Sequence, residues 1–200
     1  ITEDSDDNGT ISNREISGTV GVKVTLPADA VAGDVLNVTG QAPIKLTAEQ
    51  ITRGFLTFEY ARPADGGSIE VKATLTDAAG NVSAEGSDKA VMGDTTATAA
   101  PTVLITEDSD DNGTISNREI SGTVGVKVTL PADAVAGDVL NVTGQAPIKL
   151  TAEQITRGFL TFEYARPADG GSIEVKATLT DAAGNVSAEG HDNAVMGDTT

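Results

Sequence analysis

Asp4-Ser5-Asp6-Asp7-Asn8-Gly9-Thr10-Ile11-Ser12-Asn13-Arg14-Glu15 recurs, residue for residue, as Asp108-Ser109-Asp110-Asp111-Asn112-Gly113-Thr114-Ile115-Ser116-Asn117-Arg118-Glu119. Counted from its first aspartate, the stretch has Asp, Asp and Asn at positions 1, 3 and 5, Gly at 6, Thr at 7, Ser at 9 and Glu at 12. Alternate side-chain oxygens, a backbone carbonyl at 7 and a carboxylate at 12 are the donor order with which a loop wraps a hard cation, and the glycine permits the sharp turn. The stretch reads as a calcium loop. The plainer reading is a solvated acidic turn.

In an EF-hand such a loop joins two helices, but the flanks here argue otherwise. Pro101-Thr102-Val103-Leu104-Ile105-Thr106 precedes the second copy and Ile16-Ser17-Gly18-Thr19-Val20 follows the first. Both are rich in the β-branched residues that strands favour. Residues 16–26 alternate, with Val20, Val22, Val24 and Leu26 on one face and Thr19, Gly21, Lys23 and Thr25 on the other, the period of a half-buried strand. Residues 35–39, 42–46, 55–60 and 69–76 read as further strands. Thr47-Ala48-Glu49-Gln50-Ile51 carries the signature of a single helical turn. Arg62-Pro63-Ala64-Asp65-Gly66-Gly67 and Asp77-Ala78-Ala79-Gly80-Asn81 are turns. Six or seven short strands at intervals of about 8 to 12 residues predict an all-β fold, an antiparallel β-sandwich of about 100 residues.

The chain holds two such units. Residues 105–200 copy residues 1–96, with only Ser87 replaced by His191 and Lys89 by Asn193. A period of 104 residues is too long for a solenoid repeat of about 20 to 50 residues and suits a self-contained module. The expected division is repeat 1 over residues 1–96, a linker over 97–101 that ends the small, polar run from Met92 to Pro101, and repeat 2 over 102–200. Repeat 1 opens at Ile1 with no equivalent of Pro101-Thr102-Val103-Leu104, so the expectation is of a truncated start and a piece of a longer array.

A formal charge of -17 argues against nucleic acid or anionic lipid as a partner, since both need basic patches, and points to a cationic one. With no cysteine there is no disulfide and no thiolate metal site. No apolar run reaches the roughly 18 residues of a membrane span, so no membrane insertion is expected of this segment. Aromatic residues make up only 3% of the chain, which predicts a light core of Val, Ile, Leu and Ala.

Asp7-Asn8-Gly9-Thr10-Ile11-Ser12-Asn13-Arg14-Glu15, Leu26-Pro27-Ala28-Asp29-Ala30-Val31-Ala32-Gly33-Asp34 and Thr76-Asp77-Ala78-Ala79-Gly80-Asn81-Val82-Ser83 resemble the signatures of bacterial Ig-like extender repeats in giant RTX adhesins. The resemblance covers the whole chain. It implies two tandem Ig-like antiparallel β-sandwich domains with several Ca2+ ions per repeat, one or more of them at the interdomain linker. They would lie in an extracellular array at a bacterial cell surface, with neighbouring identical repeats as partners in cis. Ice binding belongs to another part of such adhesins, so no ice or sugar ligand is carried onto these residues.

The candidate calcium ligands are Glu3, Asp4, Asp6, Asp7, Asn8, Thr10 and Glu15 in the first loop and Glu107, Asp108, Asp110, Asp111, Asn112, Thr114 and Glu119 in the second. If the strand ending near Thr106 is the first of its sandwich, the acidic loop shares one pole with Asp65, and Asp29, Asp34, Asp77 and Asn81 occupy the other. Asp94 in the linker would then fall between that first pole and Asp133, Asp138 and Asp181 of the next module, offering a bridging calcium site. Asp169, Asn185 and Asp198 complete the set in the second copy. Outside the acidic loops each of these residues also suits a plain turn role. Glu15 is ambiguous, because in a β setting position 12 need not swing back to the ion. His191 reads as drift between copies.

Catalysis finds no support, since a repeated site would have neither histidine nor cysteine to work with. The leading expectation is a calcium-stabilised structural extender of a cell-surface adhesin, a spacer that projects a ligand-binding region away from the cell. The alternative is a calcium-dependent carbohydrate- or protein-binding Ig-like module.

Overall fold

In the computed structural model, which describes residues 1–200, the first acidic loop runs into a two-residue strand, β1 (Thr10–Ile11), and the alternating stretch beyond it folds as β2 (Val20–Thr25). There follow β3 (Val35–Val38), β4 (Ile44–Lys45), a short helix α1 (Ala48–Arg53), β5 (Phe55–Tyr60), β6 (Ser68–Thr76) and β7 (Gly86–Met92). The second copy repeats this order as β9 (Thr114–Ile115), β10 (Val124–Thr129), β11 (Val139–Val142), β12 (Ile148–Lys149), α2 (Ala152–Arg157), β13 (Phe159–Tyr164), β14 (Ser172–Thr180) and β15 (Gly190–Met196). It is preceded by β8 (Thr102–Ile105). The two copies fold as separate units, Ile1–Thr95 and Thr96–Thr200. Residues 96–101 thus belong with the second unit, where the Ala99 amide donates to Asp133 and the Asn185 side chain donates to the Thr96 carbonyl.

Each unit is an Ig-like sandwich of two sheets. In unit 1 the larger sheet has the order β1-β7-β6-β3-β4, and β2 pairs antiparallel with β5 to form the smaller one. In unit 2 the larger sheet is β12-β11-β14-β15-β9, and the smaller gains a third strand, in the order β13-β10-β8. The core lies between the sheets. Val22 and Leu56 from one sheet pack with Leu36, Val38 and Val71 from the other. The larger second core joins Ile105, Val126 and Val128 to Leu140, Val175 and Leu179.

The alternation of residues 55–60 is realised as a buried Leu56 between exposed Thr57 and half-buried neighbours, with Glu59 outward. The helical turn is a full capping box: the Thr47 side chain accepts from the Gln50 amide, and the Gln50 side chain accepts from the Thr47 amide. Gly54 closes the helix in the left-handed region that favours glycine. Strand β7 carries no sequence signal of its own. Its polar Gly86-Ser87-Asp88-Lys89 half is exposed and only Ala90 and Met92 are buried, so its pairing with β6, not its alternation, makes it a strand. Strand β1 is too short to show a period and is held in parallel register with the end of β7.

Leu140, fully buried between the sheets, reports on this core. Leu140→Ala should cost unit 2 roughly 2 to 5 kcal/mol. At about 4 to 8 °C per kcal/mol for a domain of this size, calorimetry should show the second unit melting at least about 8 °C lower while the first is unmoved.

Candidate metal centre

The loop from Asp4 to Glu15 is shaped first by its own backbone. Asp4, 8% exposed, accepts the Asn8 amide on Oδ1 at 3.0 Å and the Gly9 amide on Oδ2 at 2.9 Å. Asp108, at 4%, does the same with Asn112 and Gly113. The turn needs two left-handed residues, Gly9 at φ +85° and Asp7 at φ +55°, the latter a conformation that aspartate adopts more readily than most residues. The Gly9 carbonyl accepts the Val91 amide, which fastens the loop to β7.

Glu15 swings back across the loop. Its Oε1 accepts from the Ser5 amide and hydroxyl at 2.9 and 2.8 Å, and its Oε2 accepts from the Ser12 amide and hydroxyl at the same distances. Four donors favour the carboxylate over the acid. The Ser12 amide and hydroxyl, followed by Ser5, lower the Glu15 pKa to about 2, and Ser116 and Ser109 do the same for Glu119. Ser5 and Ser109 were not among the sequence candidates; a serine at position 2 with Glu at 12 is the signal that points to them.

The result is a convergence of carboxylates. One oxygen each from Asp4, Asp6 and Glu15 lies within 4.8 Å of the others, and Asp108, Asp110 and Glu119 repeat the cluster. Mutual repulsion at that spacing is roughly 1 to 4 kcal/mol per pair for surface-like dielectrics. Three hard oxygen donors of one charge, buried at Asp4 and open to solvent at Asp6, fit a divalent cation such as calcium and do not fit a soft metal.

The remaining candidates lie elsewhere or do other work. Glu3 reaches the other sheet, where its Oε2 accepts the Gly21 amide at 2.6 Å; Glu107 accepts from Gly125. Asn8 and Asn112 turn their Oδ1 to the amides of Thr10 and Thr114. Asp7 and Asp111 are exposed beside the cluster. Asp65 accepts from the Thr95 amide and hydroxyl with the Arg62 guanidinium against it, and Asp169 repeats this with Thr199 and Arg166. The Thr199 amide and hydroxyl hold the Asp169 carboxyl below its usual range, with Arg166 adding to them. Asp94 follows β7 and is exposed; Asp198 accepts from the Thr200 amide and hydroxyl.

Strand β6 runs from the Gly66 and Gly67 turn, beside the acidic loop, to Asp77 at the far end of the sandwich. There Asp77 accepts the amides of Ala79 and Asn81 and the Asn81 side chain, which leads in lowering its pKa. Asp181 and Asn185 repeat the turn. Asp34 and Asp138 are buried, each accepting an amide three residues back, from Val31 and Val135. Asp29 and Asp133 stand exposed at the same end.

Fold and site together define a class: tandem Ig-like β-sandwich modules, each with an acidic loop at one pole. No protein-family model matches the chain, and no curated protein does. Among solved structures the chain is similar to a Ca2+-stabilised adhesin with which an Antarctic bacterium reaches out and binds ice, at 26% identity and a TM-score of 0.47, over 96% of this chain and 46% of that one. It is similar to a tetra-tandem repeat in the extending region of a large adhesion protein, at 20% identity and 0.34, over 92% and 51%. It is also similar to fibronectin(III)-like modules of Clostridium thermocellum CbhA, at 14% and 0.36, over 91% and 87%. The chain spans about half the length of the two adhesin structures.

Because the folded pKa of Glu15 and Glu119 lies below the ordinary value of 4.5, their contribution to stability is present above about pH 4.5 and is lost as pH falls toward 2. In chelator, Glu15→Gln with Glu119→Gln should flatten the fall in urea midpoint across that window. An unchanged acid limb would show that the serine contacts do not hold these carboxylates.

Proposed function

We propose that the chain is a pair of calcium-stabilised structural modules from an extracellular adhesin, spacers that carry a ligand-binding region away from a bacterial surface. The observation that carries this reading is the meeting of Asp4, Asp6 and Glu15 in one loop and of Asp108, Asp110 and Glu119 in its copy. Calcium would supply the positive charge and oxygen-rich coordination that neutralise each cluster. Asp4, Asp6 and Glu15 would hold it with the lone pairs that their amide, hydroxyl and side-chain donors leave free, and Glu15 also ties the loop ends together through its serines.

The role is structural because of where the cluster sits. The loop is fastened to β7 through Gly9 and continues into β1, so an ion held there would brace the edge of the larger sheet. Nearly identical copies suit an array in which each module does the same mechanical work. Extracellular sites of this kind bind calcium at about 0.1 to 1 mM. At a hundredfold excess of calcium over that constant, each site adds about 2.7 kcal/mol, a large share of the 5 to 15 kcal/mol of an ordinary domain.

Thermal unfolding in calcium and in chelator tests the reading. The midpoint should rise with calcium, and Asp6→Asn with Asp110→Asn, exposed positions outside the core, should remove the rise without lowering the chelator midpoint, since each change relieves repulsion among the carboxylates. A wild-type midpoint indifferent to calcium overturns the proposal. Calcium-dependent retention on immobilised glycans would instead make the modules binders.

A further inference from the structure

Asn8 and Asn112 are the only asparagines of the chain that are followed by glycine; the others precede Arg, Val or Ala. An asparagine in that position is open to attack on its side-chain carbon by the next peptide nitrogen, because glycine has no side chain to crowd the approach. The Gly9 nitrogen bonds to Asn8 Cγ, and the side-chain amide leaves as ammonia, taking the proton that the Gly9 nitrogen gives up. Water then opens the five-membered imide at either carbonyl. The product is aspartate, or an isoaspartate whose main chain runs through the former side chain. Water is the only co-reactant, and both asparagines are exposed to it.

In the folded loop both reacting groups are restrained. The Gly9 amide donates to Asp4 Oδ2 at 2.9 Å, and the Gly113 amide to Asp108 Oδ2 at 2.8 Å. To attack, that nitrogen must shed its proton beside a buried carboxylate, where negative charge building on nitrogen is repelled. The electrophile is held as well. Asn8 Oδ1 accepts the Thr10 amide at 2.8 Å, as Asn112 Oδ1 accepts that of Thr114, and Asn8 Nδ2 donates to Asp6 Oδ2 at 2.7 Å.

We propose that Asn8 and Asn112 are sites of spontaneous deamidation latched by Asp4 and Asp108: the reaction is held back while the loop is closed and runs when Gly9 or Gly113 leaves its aspartate. The change reinforces itself. A carboxylate at residue 8 loses the hydrogen bond now given to Asp6 and repels it instead. In the isoaspartate form the main chain gains a carbon, which draws the Gly9 amide off Asp4 and the Gly9 carbonyl away from the Val91 amide, the bond that fastens the loop to β7. Each loop is thus an irreversible ageing switch at the edge of the larger sheet. It needs no metal and does not rest on the calcium reading.

The full chain is incubated at neutral pH in chelator, folded or in urea, and the peptides around Asn8 and Asn112 are followed by mass spectrometry for the change from amide to acid. Urea should speed both sites on the order of 10-fold or more, since it removes the closed loop. Asp4→Asn leaves one acceptor oxygen for two amides, so in the folded chain it should speed Asn8 on the order of 10-fold while Asn112 in the same molecule keeps its rate. Amide exchange at Val22 and Val71 reports whether unit 1 stays folded in that variant; if it does not, the ratio of urea to folded rates in the unsubstituted chain decides alone. Equal rates in urea and in the folded chain overturn the proposal, as does an unchanged Asn8 rate in a folded Asp4→Asn chain.

Discussion

Carboxylates crowded into one short loop repel, and the fold of each unit depends on how its own donors face them. Backbone amides come first: Asp4 and Asp108 turn their chains around both oxygens. Serine hydroxyls come second, gathered by Glu15 and Glu119 from both ends of the loop. Asp6 in turn accepts from the Asn8 amide and side chain, and neutral donors of this kind leave the net negative charge of the cluster in place, the charge that a divalent cation would answer. The loop leads straight into β1 and leans on β7, so its closure sets the edge of the larger sheet.

The cores show how little apolar material such a module works with. Unit 2 gathers sixteen buried residues, from Val103 to Met196, into one cluster, while the same residue types in unit 1 separate into two smaller ones. The difference follows from β8, which brings Val103 and Ile105 across the gap between the sheets. Hydrophobic stabilisation scales with the apolar area withdrawn from water, so a four-residue strand with two buried side chains weighs heavily in a core without tryptophan.

Much of this was legible. The alternation of residues 20–25 and 55–60 gave strands because one face must be apolar, and Thr47 with Gln50 gave a capped helix because both side chains serve local amides. The acidic run from Asp4 to Asp6 was legible, but that Glu15 joins it was left open by the spacing and follows from the Ser5 and Ser12 donors that draw it back. Strand β7 was not legible, since its polar first half borrows its conformation from β6. Nor were the contacts of Asp65 and Asp169, which reach thirty residues along the chain to Thr95 and Thr199.

By itself the sequence determined the repeat, the β architecture and the acidic loops, all of them properties of local spacing and periodicity. Tertiary structure alone decided which carboxylates converge and which are taken up by amides, hydroxyls or arginine, because hydrogen-bond partners distant in sequence compete for the same oxygens.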